Sequence, residues 1–241
     1  MLETNARLII EQKHDENPFI PLYTIVSEVL RDAISKCIVL PGERLKELEV
    51  AEIIGVSRST VRRSFETLVM EGLALRRHSG GIEVAPMVKK SYLNITEIRA
   101  MLDSYSARLT AARRTKQDLA EMRKYIDMLS DDNIEQSSVA DNEFHWTIYV
   151  ATGNSYILRV YEEFNVEIIR SRYLTASGIA SMLKRVRKEH LEIYDAIERQ
   201  DIEGAAKAAM EHTRILLEPE LIEVSEIDET HKNKRRDITE L

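Results

Sequence analysis

Apolar residues recur at helical spacing in two separate stretches of the chain. In the first, Ile25, Val29, Leu30 and Ala33 share one stripe and predict a helix over 22–34. Pro41-Gly42 interrupts the chain, and further helices are predicted over 45–54 and 57–71. Gly72 closes the last of these, where a left-handed residue is needed to end a helix. Leu73-Ala74-Leu75 and Ile82-Glu83-Val84 then read as short strands around a His78-Ser79-Gly80-Gly81 tip, the pattern of a wing. In the second stretch helix follows helix. Asn94 with Glu97 makes a capping-box start. Ile98, Met101, Leu102, Tyr105, Leu109 and Ala112 form one stripe, Leu119, Met122, Ile126 and Leu129 another, and Ile157, Tyr161, Phe164 and Ile168 a third. Polar breaks at 115–117, 130–133, 152–155 and 176–178 separate them. Short connections between amphipathic helices predict an all-α bundle of about six, antiparallel where the breaks are short.

The expected fold is therefore mainly α, a winged helix-turn-helix domain over 21–86 and an all-α domain over 94–224. Residues 1–20 are expected as a mobile arm, 87–93 as a linker and 225–241 as a solvated tail. Composition adds exclusions. Of 241 residues, 44% are hydrophobic and 31% charged, with 8 Gly and 5 Pro, which excludes collagenous and disordered classes. No apolar run approaches the roughly eighteen residues a membrane span needs. Glu3, Glu11, Asp15 and Glu16 do not suit a secretory signal. The single cysteine, Cys37, excludes an internal disulfide framework and fits a reducing, cytoplasmic setting.

Charge changes the picture more. The chain carries −7 overall, yet residues 21–90 carry +2 and residues 91–241 carry −7. Arg58, Arg62, Arg63, Arg76 and Arg77 concentrate within 57–77, a basic patch on an acidic protein. Ala51, Gly55 and Val61 follow the spacing of a helix-turn-helix, with a small residue where the helices touch, a turn glycine and a branched anchor. Ser57 is placed to cap the second helix, so that Arg58, Ser59, Thr60 and Arg62 occupy the turns that enter a major groove. Arg76, Arg77, His78 and the Gly80-Gly81 tip would let the wing reach a flanking phosphate or the minor groove. The run Pro41-Gly42-Glu43-Arg44-Leu45, Ala51…Gly55-Val56-Ser57-Arg58-Ser59-Thr60-Val61-Arg62 and Leu68…Glu71-Gly72-Leu73 resembles the winged-helix head of the GntR family of bacterial transcription regulators. The resemblance implies DNA contacts from Arg58, Ser59, Thr60, Arg62, Arg63, Arg76, Arg77 and Gly81. Cys37 stands where such heads often have glycine, and Arg63-Ser64 replaces a common Glu-Ala.

In the second stretch three histidines fall on apolar stripes. Asp141 and His145, four apart, share a helix face. His190 lies ten residues before Gln200, and His212 eleven after Asp201, a candidate N-cap. An antiparallel hairpin would bring these two to one height. Three core histidines satisfied by local hydrogen bonds are one reading. The other is a divalent transition metal (Zn, Ni, Mn or Fe), which suits three imidazoles and a carboxylate. The stretch Glu97-Ile98-Arg99, Asp141…Phe144-His145, Ala151…Gly153-Asn154, Glu189-His190…Ala196-Ile197 and Met210…His212 resembles the FCD effector domain of FadR-type GntR regulators, in length the VanR-like branch. That resemblance implies a metal on Asp141, His145, His190 and His212, with a small carboxylate effector at its open positions. Arg99 matches an arginine that faces the effector, and Asp103 sits where many relatives have Glu. Arg170, Arg172 and Tyr173 are further cavity candidates, although a solvated or dimer-contacting face is the plainer reading for them.

The function implied is a homodimeric transcription regulator, a repressor in most of the family, on a pseudo-palindromic double-stranded operator and controlled by a small organic acid. It would be neither an enzyme nor a membrane protein. Two alternatives stay open at this point. A metal-dependent hydrolase would need a general base, and Glu143, two residues from Asp141, points off the ligand face. In a metalloregulator the metal itself would be the signal.

Overall fold

A computed structural model describes residues 3–78, 80–87, 89–130, 133–176 and 183–214. Ser79 and the tail 225–241 lie outside these, as do the side chains of Arg172 and Tyr173. The chain forms two compact units, the second beginning at Lys89. No described helix is long and apolar enough to cross a membrane.

The first unit contains α1 (Glu3–Glu16), α2 (Leu22–Ser35), β1 (Arg44–Leu45), α3 (Glu47–Ile54), α4 (Arg58–Met70), β2 (Ala74–Arg76) and β3 (Ile82–Val84). Its elements start and stop where local chemistry requires. Gly55 ends α3 in the left-handed conformation (φ 73) and donates its N–H to the Ala51 carbonyl. Ser57 caps α4, its Oγ accepting the Thr60 N–H at 3.1 Å. Val26, Leu30, Ile34, Val50, Ile54, Val61, Phe65 and Leu68 are all buried, each worth roughly 1.5–3 kcal/mol of burial. On α2 the buried stripe is Ile25, Val26, Leu30, Ala33 and Ile34, so the predicted Val29 is only half-buried. Cys37 has a left-handed backbone (φ 52), the region that glycine adopts most readily.

Two sequence expectations fail here. Residues 1–20 are not simply a loose arm, because α1 packs on α2 and α3, burying Ala6 and Ile10, and Lys13 pairs with Glu28 at 2.8 Å. Two apolar anchors in fourteen residues are too few to announce a packed helix; its partners supply the evidence. The wing also has a third strand. β3 is central in an antiparallel sheet of order β1-β3-β2, with Arg44 opposite Glu83 and Ala74 opposite Val84. A two-residue strand carries no periodicity to read. Gly81 makes it possible: at φ 76, a Cβ there would sit 2.4 Å from the Leu45 carbonyl oxygen. Gly81 therefore has a structural task in the wing.

The second unit has six helices among the described residues: α5 (Lys89–Arg113), α6 (Lys116–Asp127), α7 (Ile134–Ala151), α8 (Ser155–Ala176), α9 (Leu183–Glu198) and α10 (Ile202–Arg214). Thr115 and Asp118 form a reciprocal capping box at α6, and Asn133 caps α7 through Gln136 N–H. The linker expected over 87–93 is mostly helix, since α5 already runs from Lys89 and buries Tyr92. The expected capping box fails with it, because Asn94 and Glu97 are exposed inside α5.

α5 is the element that positions the interior, packing against α7, α8, α9 and α10. Its predicted stripe is partly wrong: Met101 and Tyr105 are 57% and 54% exposed. The buried side chains include Thr96, Arg99, Asp103, Ser106, Ala107, Thr110 and Ala111. Small residues permit close approach to α10, where Ala205, Ala206 and Ala209 are buried, and Ser104 Oγ donates to the Ala206 carbonyl at 2.9 Å. Met122, Ile126, Phe144, Ile148, Ile193 and Ile197 fill the core beside them. Phe164, expected inside, is partly exposed on α8.

The α9–α10 turn behaves as expected at Asp201, whose Oδ1 accepts the Gly204 N–H at 2.9 Å. The turn also holds exposed Gln200 at φ 56, a conformation disfavoured for a residue with a Cβ. Gln200→Gly is expected to stabilise the protein by about 0.5–1 kcal/mol, relief of backbone strain exceeding the added freedom of the unfolded chain. A thermal midpoint that does not rise would show that this turn is unstrained.

Candidate DNA-binding face and metal centre

The first unit presents its predicted basic residues on α4 and the wing. Ser57 Oγ lies 2.8 Å from both Ser59 Oγ and Thr60 Oγ1, a hydroxyl cluster around the start of α4. Arg58 and Arg62 are exposed, and both converge on Glu47 in the first turn of α3. Arg62 makes two parallel bonds, Nε to Oε1 at 3.0 Å and Nη2 to Oε2 at 2.9 Å. Arg58 Nη2 stands 3.6 Å from Glu47 Oε2. The hydrogen bond from Arg62 holds the Glu47 carboxyl below the usual carboxylate range, against the opposing effect of burial.

The other arginines also have protein partners. Arg63 lies over the Tyr23 ring, 4.2 Å from its centroid, so its charge is drawn onto α2. Arg76 faces Glu66 at 3.7 Å, and Arg77 pairs with Glu83 at 3.1 Å. Such exposed pairs contribute little to stability and can be exchanged for phosphate contacts.

In the second unit the four predicted ligand residues meet. α7 places Asp141 and His145 one turn apart, α9 brings His190 and α10 brings His212. One ligand atom from each lies within 4.8 Å of the others. His190 Nε2 is 3.3 Å and His145 Nε2 4.0 Å from Asp141 Oδ1. The His190 and His212 rings are 4.8 Å apart between centroids, as expected for one height across the α9–α10 hairpin. All three histidines are buried, and His190 stacks on Phe144 at 4.2 Å.

Carboxylates behind the imidazoles fix two of the rings. His212 Nδ1 and Glu189 Oε2 are 2.8 Å apart, with Arg185 Nε donating to the other Glu189 oxygen at 2.7 Å. Burial pushes the Glu189 carboxyl up, but the His212 and Arg185 bonds together outweigh it and hold it below its usual value. His145 Nδ1 lies 3.4 Å from Asp103 Oδ1. Asp103 also accepts from Tyr149 Oη, from Thr213 Oγ1 at 2.9 Å and from Arg99 Nε at 3.3 Å. Arg99 is thus a buried residue paired along its own helix, and its terminal nitrogens make no hydrogen bond among the described residues. Arg170 is buried on α8.

The four candidate ligand residues were legible in the sequence, whereas the roles of Asp103, Glu189 and Glu47 behind the imidazoles and Arg62 were not. The i, i+4 spacing of Arg99 and Asp103 was a signal for one of these. The contacts of Glu189 with His212 and of Glu47 with Arg62 run between helices, and no local spacing reports them.

The donor set suits a divalent transition metal. His212 supports this: its Nδ1 is committed to Glu189, while its buried Nε2 has no hydrogen-bond partner among the described residues. A buried imidazole nitrogen without a partner is costly, and a metal removes the cost. Hydrogen-bonded carboxylates behind ligating histidines are the usual outer support of such sites.

Comparisons with known proteins agree with both units. Residues 94–222 match the FCD domain family, and residues 22–84 match the bacterial regulatory proteins of the gntR family. The chain is 26% identical over 218 residues to the HTH-type transcriptional repressor RspR of Escherichia coli K12, covering 84% of this chain and 90% of RspR. It is 24% identical over 244 residues to the Uxu operon regulator of Haemophilus influenzae, covering 91% and 89%. Among solved structures, E. coli McbR/YncC superposes with a TM-score of 0.72 at 20% identity, over 88% of this chain and all of that one. A GntR transcriptional regulator from Rhodococcus sp. RHA1 gives 0.63 at 21% identity, over 85% and 97%. RspR and the Uxu operon regulator are named as transcription regulators, and the two structures share the fold. With a helix-turn-helix head matched at one end and an FCD domain over more than half its length, the chain belongs to the gntR family of bacterial DNA-binding transcription regulators.

Proposed function

We propose that this regulator is a repressor whose operator binding is governed by a small carboxylate, bound beside a divalent transition metal in the FCD domain. The observation that carries the reading is the convergence of Asp141, His145, His190 and His212 to within 4.8 Å in a buried interior. These four residues would hold the metal, and the metal would supply Lewis-acid positions for a carboxylate oxygen. Glu189 and Asp103 orient His212 and His145 from behind. Arg99 would face the effector with its terminal nitrogens, Asp103 securing the rest of the guanidinium. The name of RspR, a transcriptional repressor, supports the sign of regulation.

As a homodimer the protein would set two heads on a pseudo-palindromic operator. Arg58, Ser59, Thr60 and Arg62 on α4 would meet the major groove, and Arg76 and Arg77 on the wing would meet the flanking backbone. An effector controls such binding only by favouring one arrangement of the two heads over another. Native mass spectrometry of the gently purified protein tests the reading: a dimer with one metal per chain, and extra mass from a retained acid, is expected. A dimer that takes up no added metal would overturn the metal and its effector together.

The DNA face has its own test. Arg62→Ala is expected to reduce discrimination for the selected operator by about 1–3 kcal/mol at fixed salt, while the protein stays folded and dimeric. Unchanged operator affinity in a titration of labelled duplex would remove Arg62 from the reading surface.

A further inference from the structure

We infer that Glu47 is a specificity-determining residue of the head: it holds the Arg62 guanidinium side-on, so that the opposite edge is presented to a guanine. The inference rests on the reading of Arg62 as a base-contacting residue given above.

The geometry is in the choice of nitrogens. A guanidinium carries five N–H donors in a rigid plane. Arg62 commits one edge to Glu47, Nε to Oε1 at 3.0 Å and Nη2 to Oε2 at 2.9 Å. Of the N–H groups left over, one of Nη1 and the outer one of Nη2 form the end-on edge. That edge is the fork that fits guanine O6 and N7 in a major groove. The carboxylate is well placed to act as a mount, because Glu47 sits in the first turn of α3 with its side chain 17% exposed, whereas Arg62 is 56% exposed. Arg58 Nη2 approaches the same Oε2 at 3.6 Å, adding a second cation that keeps the carboxylate in place.

The same carboxylate works against indiscriminate binding. A negative charge beside the recognition helix disfavours any phosphate backbone, so it lowers affinity for random DNA. It also restrains a long side chain that would otherwise lose rotamer freedom on docking or swing to a phosphate. Glu47 therefore trades general affinity for selectivity at one base pair of each half-site. If Glu47 merely competed with DNA for Arg62, its removal would strengthen binding to all sequences alike.

The experiment selects binding sites from random duplex DNA at fixed salt, using the full chain as wild type, Glu47→Gln, Glu47→Ala and Arg62→Ala. Labelled duplexes differing at single base pairs then give the affinities. The expected result is a loss of guanine preference of roughly tenfold at one base pair per half-site in both Glu47 variants. Other base pairs should keep their preference, and scrambled duplex should bind as well or better. Arg62→Ala should lose the same base pair. Retained guanine preference in the Glu47 variants, with that base pair lost in Arg62→Ala, would overturn the role of Glu47 alone. A uniform loss at every base pair would mean a structural role and would also overturn it. Base preferences intact in Arg62→Ala would overturn the underlying reading of Arg62 and the inference with it.

Discussion

Replacing His190 by Ala is expected to abolish metal uptake. His190 is fully buried, stacked on Phe144 with its Nε2 3.3 Å from Asp141 Oδ1, so its loss takes one donor out of the middle of the cluster. Loss of an outer hydrogen-bond partner typically lowers metal affinity about 10–100-fold, and loss of a ligand should exceed that. The consequence is measurable as stability. A metal present at about 100 times its dissociation constant stabilises the folded state by roughly 2.7 kcal/mol. Wild type should show that gain on adding metal, and His190→Ala should show none, whatever its metal-free stability. An equal gain in both proteins would place the metal elsewhere and return the three histidines to the core.

The second large effect is expected at Asp103. Asp103→Asn keeps shape but removes the charge opposite Arg99, and both side chains are buried. Removing one partner of a buried ion pair typically costs about 3–5 kcal/mol, because the other charge is left uncompensated. That is a large share of the roughly 5–15 kcal/mol stabilising a whole domain. Tyr149, Thr213 and His145 lose strength of attachment at the same point. Urea unfolding of the metal-free protein measures the effect without involving the metal. A loss below about 1 kcal/mol would show that Arg99 does not depend on Asp103. Replacing the pair together by Met and Leu is expected to recover only the part due to the uncompensated Arg99 charge, since Tyr149, Thr213 and His145 still lose Asp103 as an acceptor.

These two predictions differ in how far they were legible in the sequence. Asp141 and His145 share a face because they are one helical turn apart, and His190 and His212 are level because the α9–α10 turn is short. Both facts follow from helix geometry over local distances. Asp103 is different. Its i, i+4 spacing announces only Arg99; its other partners lie on α7 and α10, up to 110 positions away along the chain, and no local pattern reports those. Glu47 is similar, standing fifteen positions from Arg62 and meeting it only because α3 and α4 fold together. The misread face of α5 has the same origin. Apolar periodicity reports a helix with one wet side, and a helix packed against four others buries small and polar residues that periodicity cannot count.

What the sequence by itself determined is the part that short-range physics controls. The capped recognition helix, the left-handed turn at Gly55, the two wing strands and most helix limits depend on residues within a few positions of one another. The spacing of the four candidate ligand residues belongs here too, since a helix and a short turn convert sequence separation directly into distance. Tertiary structure alone decided that residues 3–16 form a packed helix and that Arg44 and Leu45 join the wing as a strand. It also decided that buried or half-buried carboxylates stand behind His145, His212 and Arg62. Each of these depends on which surfaces come together across the chain, and that pairing is settled by the packing of whole elements rather than by neighbours in sequence.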